Sequence, residues 1–261
     1  MTVLITGASN GIGNAVCRYL VANKINCIAL DICDISIENV KFYKCDVTNI
    51  NQLDEIANKL EEENIELDAV INIAGIFMID SFIEGNIDEI NRIFNVNLFG
   101  TINVNKCFYK LLKPNGKIII TTSEVAPLDP LPFNGIYNVT KTALDAYAQA
   151  LRQELNLLGI KVITVRPGAF STNLSNSSLD KTKELMNKTV MYHKQSKKFY
   201  TLVKKFMGKP SHVDKISKVY YKALTKKHPK LIYKKHINQL LKLLSILPIR
   251  LQCFIIKLLL K

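Results

Sequence analysis

The chain alternates short apolar runs with longer stretches in which apolar residues recur every three or four positions. The runs have the length of buried strands, and the periodic stretches are long enough for helices. Such alternation predicts a parallel, doubly wound sheet with helices on both faces. The six clearest strands are predicted at Thr2–Thr6, Ile25–Asp31, Val40–Cys45, Leu67–Ile73, Lys117–Thr122 and Lys161–Val165. Helices are predicted from the first glycine cluster to about Asn23, and over Asn51–Glu63, Ile87–Asn97, Gly100–Leu112 and Gly135–Leu158.

The pattern loosens beyond Gly168, where polar and basic residues become more frequent. Before that point, Pro114-Asn115-Gly116 predicts a turn into the fifth strand. We expect one domain over residues 1–235, with a substrate loop at 171–207 and a basic amphipathic helical extension at 236–261. Within this part we predict helical pieces over Ser171–Met207, a helix over Ser211–Leu224, a last strand at Lys230–Tyr233, and a Leu- and Ile-rich end broken by Pro248.

Composition is that of a globular protein: 48% of the 261 residues are hydrophobic and 22% are charged. The first residues enter strand-like sequence directly, so we expect no signal peptide and a cytoplasmic location. The six cysteines form no C-x-x-C pair and are predicted to be buried free thiols. The four histidines are scattered, so the sequence predicts no metal site.

The net charge of +13 is unevenly distributed. Residues 1–172 carry 14 basic and 19 acidic side chains, whereas residues 173–261 carry 21 and 3. A basic region of this kind suits nucleic acid, an anionic membrane surface or an acidic partner. Nucleic acid is disfavoured, because the excess is mostly lysine beside leucine and isoleucine, without interleaved aromatics or an arginine cluster.

A glycine cluster lies between the first strand and the first helix. Gly7, Gly11 and Gly13 flank Ser9, Asn10 and Ile12 in the spacing G-x-x-x-G-x-G. Glycines there permit a sharp turn and let backbone N–H groups at a helix N-terminus approach a pyrophosphate. The cluster therefore predicts a dinucleotide site, although the general G-x-G-x-x-G fingerprint is not matched.

Asp31 ends the second strand, 18 residues beyond Gly13. An acid at about this offset accepts hydrogen bonds from the adenosine ribose hydroxyls and repels a 2′-phosphate. Neither Asn10 nor Ile32 supplies a cation to offset that repulsion. NAD is therefore favoured over NADP.

Tyr137 and Lys141 lie four residues apart on a predicted helix, and so on one face of it. A free phenol has a pKa of about 10, so proton transfer near neutral pH calls for a lower value. A neighbouring ammonium favours the phenolate, and we expect Lys141 to lower the pKa of Tyr137.

Together these motifs resemble the short-chain dehydrogenase/reductase family over nearly the whole chain. The resemblance implies a Rossmann-type fold and four catalytic residues: Asn97, Ser123, Tyr137 and Lys141. Tyr137 and Lys141 are implied to bind cofactor as well. The other implied cofactor contacts are Gly7, Ser9, Asn10, Gly11, Ile12, Gly13, Asp31, Asp46, Val47, Asn72, Ala74, Gly75, Pro167, Gly168 and Thr172.

Three positions depart from the family pattern. Ile73 replaces the second asparagine of N-N-A-G, and Thr121-Thr122 replaces a frequent I-S. Ser123 precedes Tyr137 by 14 residues where 13 is usual, so we place one extra residue in the Pro-rich loop Pro127–Pro132. Glu124 has the usual offset but would be a poor donor to an oxyanion, so Ser123 is retained.

The resemblance implies hydride transfer between a nicotinamide and a secondary alcohol or ketone. Tyr137 exchanges the hydroxyl proton, Lys141 also binds the nicotinamide ribose, Ser123 donates to the substrate oxygen, and Asn97 holds a water for proton relay. Alternatives are an NADP-linked ketoreductase, an epimerase on the same fold, or a dinucleotide-binding regulatory protein without chemistry. A homodimer or homotetramer is expected by analogy.

Apolar residues around Ala126–Leu128 and Leu131–Phe133 favour a lipophilic substrate such as a steroid, a retinoid or a long-chain keto compound. Residues 237–261 hold no uncharged run of about 20 residues, which a membrane span needs. Three interpretations stay open: amphipathic helices packed on the domain or a second subunit, a membrane-interface segment contacting anionic headgroups, or a lid over the pocket.

Overall fold

A computed structural model describes residues 1–170, 173–206 and 211–261. Seven parallel strands form one sheet in the order β3-β2-β1-β4-β5-β6-β7. The strands are β1 Thr2–Thr6, β2 Asn26–Asp31, β3 Val40–Lys44, β4 Leu67–Asn72, β5 Leu112–Thr121, β6 Lys161–Pro167 and β7 Ile232–Lys235. The chain adds strands in one direction from β1 to β3 and in the other from β4 onward. The strand order therefore reverses between β1 and β4, and ligands of such sheets bind outside the carboxyl ends of the strands at this point.

Helices connect the strands and cover both faces of the sheet. They are α1 Gly11–Ala22, α2 Ile50–Glu62, α3 Ile87–Phe94, α4 Gly100–Phe108, α5 Gly135–Asn156, α6 Asn173–Lys188, α7 His193–Phe206, α8 Asp214–Thr225, α9 Gln239–Leu244 and α10 Ile249–Leu260. A π-helix, Asn95–Phe99, joins α3 to α4, and a 3₁₀ turn, Tyr109–Leu111, follows α4. The predicted doubly wound α/β fold with a helical extension is confirmed.

The core lies on both faces of the sheet. On one face Val16 and Leu20 of α1 and Tyr220 of α8 pack with the strands. On the other face α2 and α4 pack together, and α5 covers β5 and β6 through Leu144 and Ala148. The α2 stripe shows why these stretches fold as helices: its buried residues Leu53, Ile56, Ala57 and Leu60 are spaced at helical intervals.

Two predictions about local structure are wrong. Pro114-Asn115-Gly116 does not precede β5 but lies within it, in an irregular segment where the register with β4 shifts between Leu67 and Ala69. Asn115 adopts φ +63°, a left-handed conformation that asparagine tolerates. The prediction of buried thiols holds for four cysteines, but Cys33 and Cys253 are exposed.

Residues 237–261 pack against the domain through one side. Asn238 caps α9, and its backbone N–H donates to the Glu124 carboxylate. Gln252 of α10 donates to the Asp129 carboxylate at 2.8 Å, and Leu260 is buried against the domain. Pro248 immediately precedes α10, as its fixed φ favours. None of the helices in the described part of the chain has the length and apolar character needed to span a bilayer.

Candidate active site

The turn after β1 has no room for a side chain at two of its glycines, Gly7 and Gly13. Gly7 has φ +74°, and a Cβ there would lie 2.8 Å from the Cα and N of Ala74. A Cβ on Gly13 would lie 1.9 Å from the Gly7 carbonyl oxygen. Glycine is therefore required at both positions. Without side chains there, the N-terminus of α1 can lie close to the carboxyl ends of β1 and β4.

The N-terminus of α1 leaves its first N–H groups without a side-chain cap. Asn10 takes the N-cap position in extended conformation but makes no cap hydrogen bond, and the first turn contains no acidic residue. Gly11 reaches φ +58°. Free N–H groups and the positive end of the helix dipole favour an anion at this point, in agreement with the predicted pyrophosphate site.

Asp31 is buried at the end of β2 and is held by the backbone on both carboxylate oxygens. One oxygen accepts from the Ser9 N–H at 2.8 Å and the other from the Cys33 N–H at 3.0 Å. Each oxygen keeps a lone pair for a further donor. The carboxylate thus lies beside the glycine loop, where the sequence placed it.

Side-chain hydrogen bonds fix the carboxyl ends of β1 and β4. Thr6 Oγ1 accepts from the N–H groups of Ile73 and Ala74 at 3.1 and 3.2 Å. Asn72 donates to Asn105 at 2.8 Å, and its own Oδ1 is a buried acceptor without a partner among the described residues. The N-I-A-G segment therefore keeps its backbone contacts despite Ile73.

Asp46 and Val47 follow β3 at the same edge of the sheet. The Asp46 carboxylate accepts from the N–H and hydroxyl of Thr48 at 2.9 and 2.8 Å, which fixes the turn. Val47 is buried, and a Cβ on Gly100 would lie 2.6 Å from it.

Asn97 is fully buried because the π-helix turns it inward. Its Oδ1 accepts from the Ile76 N–H at 2.8 Å, and its Nδ2 donates to the Ile76 carbonyl at 2.9 Å and to Thr140 Oγ1 at 3.1 Å. The amide thereby fixes the chain that follows Gly75. Its implied role in holding a water stays a prediction.

Ser123, Tyr137 and Lys141 converge at the carboxyl end of β5. Ser123 is buried just beyond the strand, with its hydroxyl near enough to that of Tyr137 to act on the phenol pKa. Lys141, one helical turn after Tyr137, places Nζ 5.9 Å from the phenol ring centroid and donates to the Thr121 carbonyl at 3.2 Å. A Cβ on Gly75 would lie 3.5 Å from that Nζ and 3.1 Å from Asn97 Oδ1, so all four predicted catalytic residues lie around one point.

The electrostatics of this cluster differ from the sequence prediction. Burial raises the pKa of the Tyr137 phenol to about 12; the hydrogen bond with Ser123 acts to lower it, and the Glu124 carboxylate acts to raise it. Burial also lowers the pKa of the Lys141 ammonium to about 8. The net lowering of the Tyr137 pKa that we expect from Lys141 is therefore not seen, because desolvation of the phenol dominates.

The Pro-rich loop is tied to α5, the helix that carries Tyr137. Asn138 donates to the carbonyls of Val125 and Leu128 at 3.1 and 3.5 Å, and Thr142 donates to the Ala126 carbonyl at 2.8 Å. These bonds hold the loop on the face of α5 that also presents the catalytic pair.

The last cofactor contacts implied by the sequence follow β6. The Pro167 carbonyl accepts from the Glu124 N–H at 2.9 Å, which sets β6 beside the serine. A Cβ on Gly168 would lie 1.8 Å from the His236 carbonyl oxygen, so the segment leading to α9 lies directly against it. Thr172 lies outside the described residues, as do parts of the predicted 171–207 loop.

An apolar cluster lies beside Tyr137. Phe77 meets the Tyr137 ring edge-on, with centroids 4.9 Å apart. The cluster contains Phe77, Ile79, Phe133, Leu185, Phe199, Ile256 and Leu260. It joins the loop after β4, helices α6 and α7, and α10 into one wall beside the site. The Glu84 carboxylate anchors the start of α7 by accepting from the Val190 and Met191 N–H groups at 2.9 and 2.8 Å.

Sequence reasoning missed Phe77 and Thr140 and gave Thr6 no role beyond its place before Gly7, although all three residues hold the site together. Thr6 directly precedes Gly7, so its position at a strand end was a usable signal. Phe77 and Thr140 gave none, because their roles depend on contacts between segments far apart in the chain. Among the described residues no group of three metal-ligating side chains occurs.

Comparisons with known proteins agree with this geometry. A family model described as short chain dehydrogenase matches residues 1–183. The chain is 31% identical over 190 residues to estradiol 17-beta-dehydrogenase 2 of Mus musculus, which covers 67% of this chain and 49% of that protein. It is 26% identical over 232 residues to 3-ketodihydrosphingosine reductase of Bacteroides thetaiotaomicron, covering 87% of this chain and 84% of that protein. The chain spans about half the length of the mammalian relatives that it matches.

Solved structures show the same fold. A short chain dehydrogenase family protein from Francisella tularensis has a TM-score of 0.74 at 25% identity, covering 89% of this chain and 96% of that one. Two structures at 20% and 23% identity, each with a TM-score of 0.71, are described as 4-hydroxyisoleucine dehydrogenase complexed with NADH and ElxO with NADP bound. Proteins of this fold thus bind either nicotinamide dinucleotide.

Proposed function

The chain belongs to the short-chain dehydrogenase/reductase family, and on that premise we propose that it is an NAD(H)-dependent oxidoreductase acting on a lipophilic secondary alcohol or ketone. The observation that carries the proposal is the convergence of Ser123, Tyr137 and Lys141 at the carboxyl end of β5, beside the crevice where the strand order reverses. A proton donor, an oxyanion donor and a cation thus face a dinucleotide crevice.

The residues present fit a dinucleotide. The turn has no room for a side chain at Gly7 or Gly13, the first N–H groups of α1 lack a cap, and Asp31 keeps acceptor capacity beside them. A bound nicotinamide supplies or accepts the two electrons of the reaction. We assign the pyrophosphate to Gly11–Gly13, the adenosine ribose to Asp31 and the nicotinamide end to Lys141 and Gly168.

Tyr137 transfers the proton in this account. In reduction its hydroxyl donates to the substrate carbonyl oxygen, and in oxidation its phenolate takes the proton from the alcohol. The raised pKa keeps the proton on Tyr137 at neutral pH, which favours the donor role. Ser123 donates to the same oxygen and stabilises charge as it develops there. Lys141 donates one N–H to the Thr121 carbonyl, so its other two N–H groups remain for a ribose. Its positive charge also acts on the phenol.

This assignment predicts opposite pH dependences for the two directions. Alcohol oxidation needs the Tyr137 phenolate, whose fraction rises about tenfold per pH unit below the pKa. Oxidation, measured as kcat/KM, should therefore rise from pH 6 to about 8, and reduction should not rise. Above about pH 8, where Lys141 loses its charge, reduction should fall and the rise in oxidation should level off. Initial rates in both directions across this range, in buffers of constant ionic strength, test the point. An oxidation rate independent of pH would remove Tyr137 as the base.

The cofactor preference is proposed from Asp31. Its carboxylate would face a 2′-phosphate at close range, and like charges repel. Wild-type protein should prefer NAD, and Asp31→Asn should raise the ratio of kcat/KM for NADP to that for NAD by at least about tenfold.

Asp34→Asn is the matched control, because Asp34 is exposed on the same loop and its ion pair with Lys44, at 3.8 Å, is exposed too. The control should leave the ratio unchanged. Equal use of both cofactors by the wild type would contradict the assignment of Asp31.

A lipophilic substrate is proposed from the wall beside Tyr137. Phe77 contacts the reacting phenol and packs against the buried Ile79 and Phe133. The named relatives include an estradiol 17-beta-dehydrogenase and a 3-ketodihydrosphingosine reductase. The oligomer expected by analogy also stays a proposal.

A further inference from the structure

Helices α9 and α10 present an outward surface of large apolar side chains. We call it the α9–α10 surface, and its members are between 43% and 73% exposed. They are Leu240, Leu243, Ile246, Ile249, Leu251, Phe254, Leu258 and Leu259. Isolated exposed apolar residues are common, but eight large ones within residues 237–261 form a concentration that marks an interaction site.

The same segment is basic throughout. Residues 237–261 contain four cations, Lys242, Arg250, Lys257 and Lys261, and no acidic residue. All four cations are exposed. The occupant of this surface must therefore offer apolar contact and negative charge together.

Helix α10 is oriented firmly by its inner side. Gln252 donates to Asp129 and to the Leu247 carbonyl, each at 2.8 Å, and Ile256 and Leu260 pack in the apolar cluster. At helical spacing the opposite side carries Arg250, Phe254, Lys257, Leu258 and Lys261. The apolar and cationic side chains of the outer side thus point away from the protein, and this side is not a lid closing on the site.

We propose that the α9–α10 surface docks on an anionic lipid bilayer, with the apolar side chains in the interface and the lysines and arginine at the headgroups. Helices that lie in a membrane interface combine these two features. A second copy of the chain is the competing occupant. A two-fold contact through this surface would set four cations against four cations with no acid between them, which disfavours it.

Docking in this orientation has a consequence that rests on the proposed function. The inner side of α10 belongs to the apolar wall that reaches Phe77 and Tyr137. A lipophilic substrate dissolved in the bilayer would therefore reach the protein on the side of α10, whose inner residues belong to this apolar wall.

Vesicle co-sedimentation of the full chain tests the docking itself, and its outcome is independent of any enzyme assay. Vesicles of phosphatidylcholine mixed with phosphatidylglycerol should bind the protein at least about tenfold more tightly than phosphatidylcholine alone, since each cation near such a surface contributes roughly fivefold. High salt should weaken the binding. Phe254→Ser combined with Leu258→Ser should lower the affinity at least about tenfold.

The matched control is Leu157→Ser combined with Leu158→Ser, which removes two leucines of 85% and 65% exposure beyond the end of α5. It should bind vesicles like the wild type, and circular dichroism should show both double variants folded. No binding, equal binding to both vesicle types, or full binding by the Phe254/Leu258 variant would each overturn the proposal. So would sedimentation velocity without lipid, if it showed self-association abolished by the same variant.

Discussion

Replacing Tyr137 with phenylalanine is expected to lower kcat for ketone reduction by about 10²–10⁴-fold, the usual contribution of a positioned general acid. The hydroxyl is the only group of Tyr137 that carries a transferable proton, whereas the ring is held edge-on to Phe77 and should keep its place. Dinucleotide affinity should therefore change little. Steady-state kinetics measure the loss of kcat, and fluorescence titration with NADH measures the dinucleotide affinity.

Tyr147→Phe is the matched control for this substitution. Tyr147 lies on the same helix, and its hydroxyl also accepts a hydrogen bond, from Asn105 at 3.2 Å, but it does not face Ser123. Its loss should cost about 1 kcal/mol of stability and leave kcat within about twofold. Retained turnover in Tyr137→Phe would end the assignment of the proton to this residue.

The second large effect is expected from Gly7→Ala. The new methyl group would lie 2.8 Å from the Ala74 backbone in a left-handed conformation, so both the turn and the β4 end must move. The left-handed conformation costs about 1–2 kcal/mol, and overpacking adds about 1–3 kcal/mol. Because Ala74 lines the crevice, dinucleotide affinity should fall at least about tenfold together with stability. Urea unfolding and cofactor titration measure these changes.

Substituting Gly159 separates the cost of the left-handed backbone conformation from the cost of the contact with Ala74. It has the same φ of +74°, but a Cβ there would meet nothing within 4 Å. Gly159→Ala should therefore cost only about 1–2 kcal/mol and leave dinucleotide affinity unchanged. Equal losses of affinity in the two variants would show that the contact with Ala74 has no part in cofactor binding.

The sheet was predictable from sequence because its signals are local. Apolar runs such as Thr2–Thr6 coincide with strands, and the i, i+3, i+4 stripe of α2 is visible without any tertiary information. The glycine loop and Asp31 were predictable for the same reason, since their spacing along the chain is the constraint that places them together.

Other features depend on contacts between distant segments. The π-helix turns Asn97 inward to Ile76 and Thr140, and nothing in Asn95–Phe99 marks the extra residue. Pro114-Asn115-Gly116 resembles an ordinary turn, yet the pairing of β5 with β4 continues on both sides of it. The Tyr137 pKa also depends on distant segments. The spacing along the chain places Lys141 near Tyr137, but the burial that raises the pKa comes from the whole fold.

Redox chemistry at a carbonyl by Tyr137, Ser123 and Lys141 can be tested directly. A panel of steroid ketones, retinal and long-chain keto compounds is incubated with NADH and the full chain, and the absorbance of the reduced nicotinamide is followed. We expect that at least one lipophilic ketone is reduced with equimolar loss of NADH, and that the Tyr137→Phe protein binds NADH without consuming it. Tight NADH binding with no turnover of any ketone or of the matching alcohols, with NADPH and the oxidised cofactors tried as well, would contradict it.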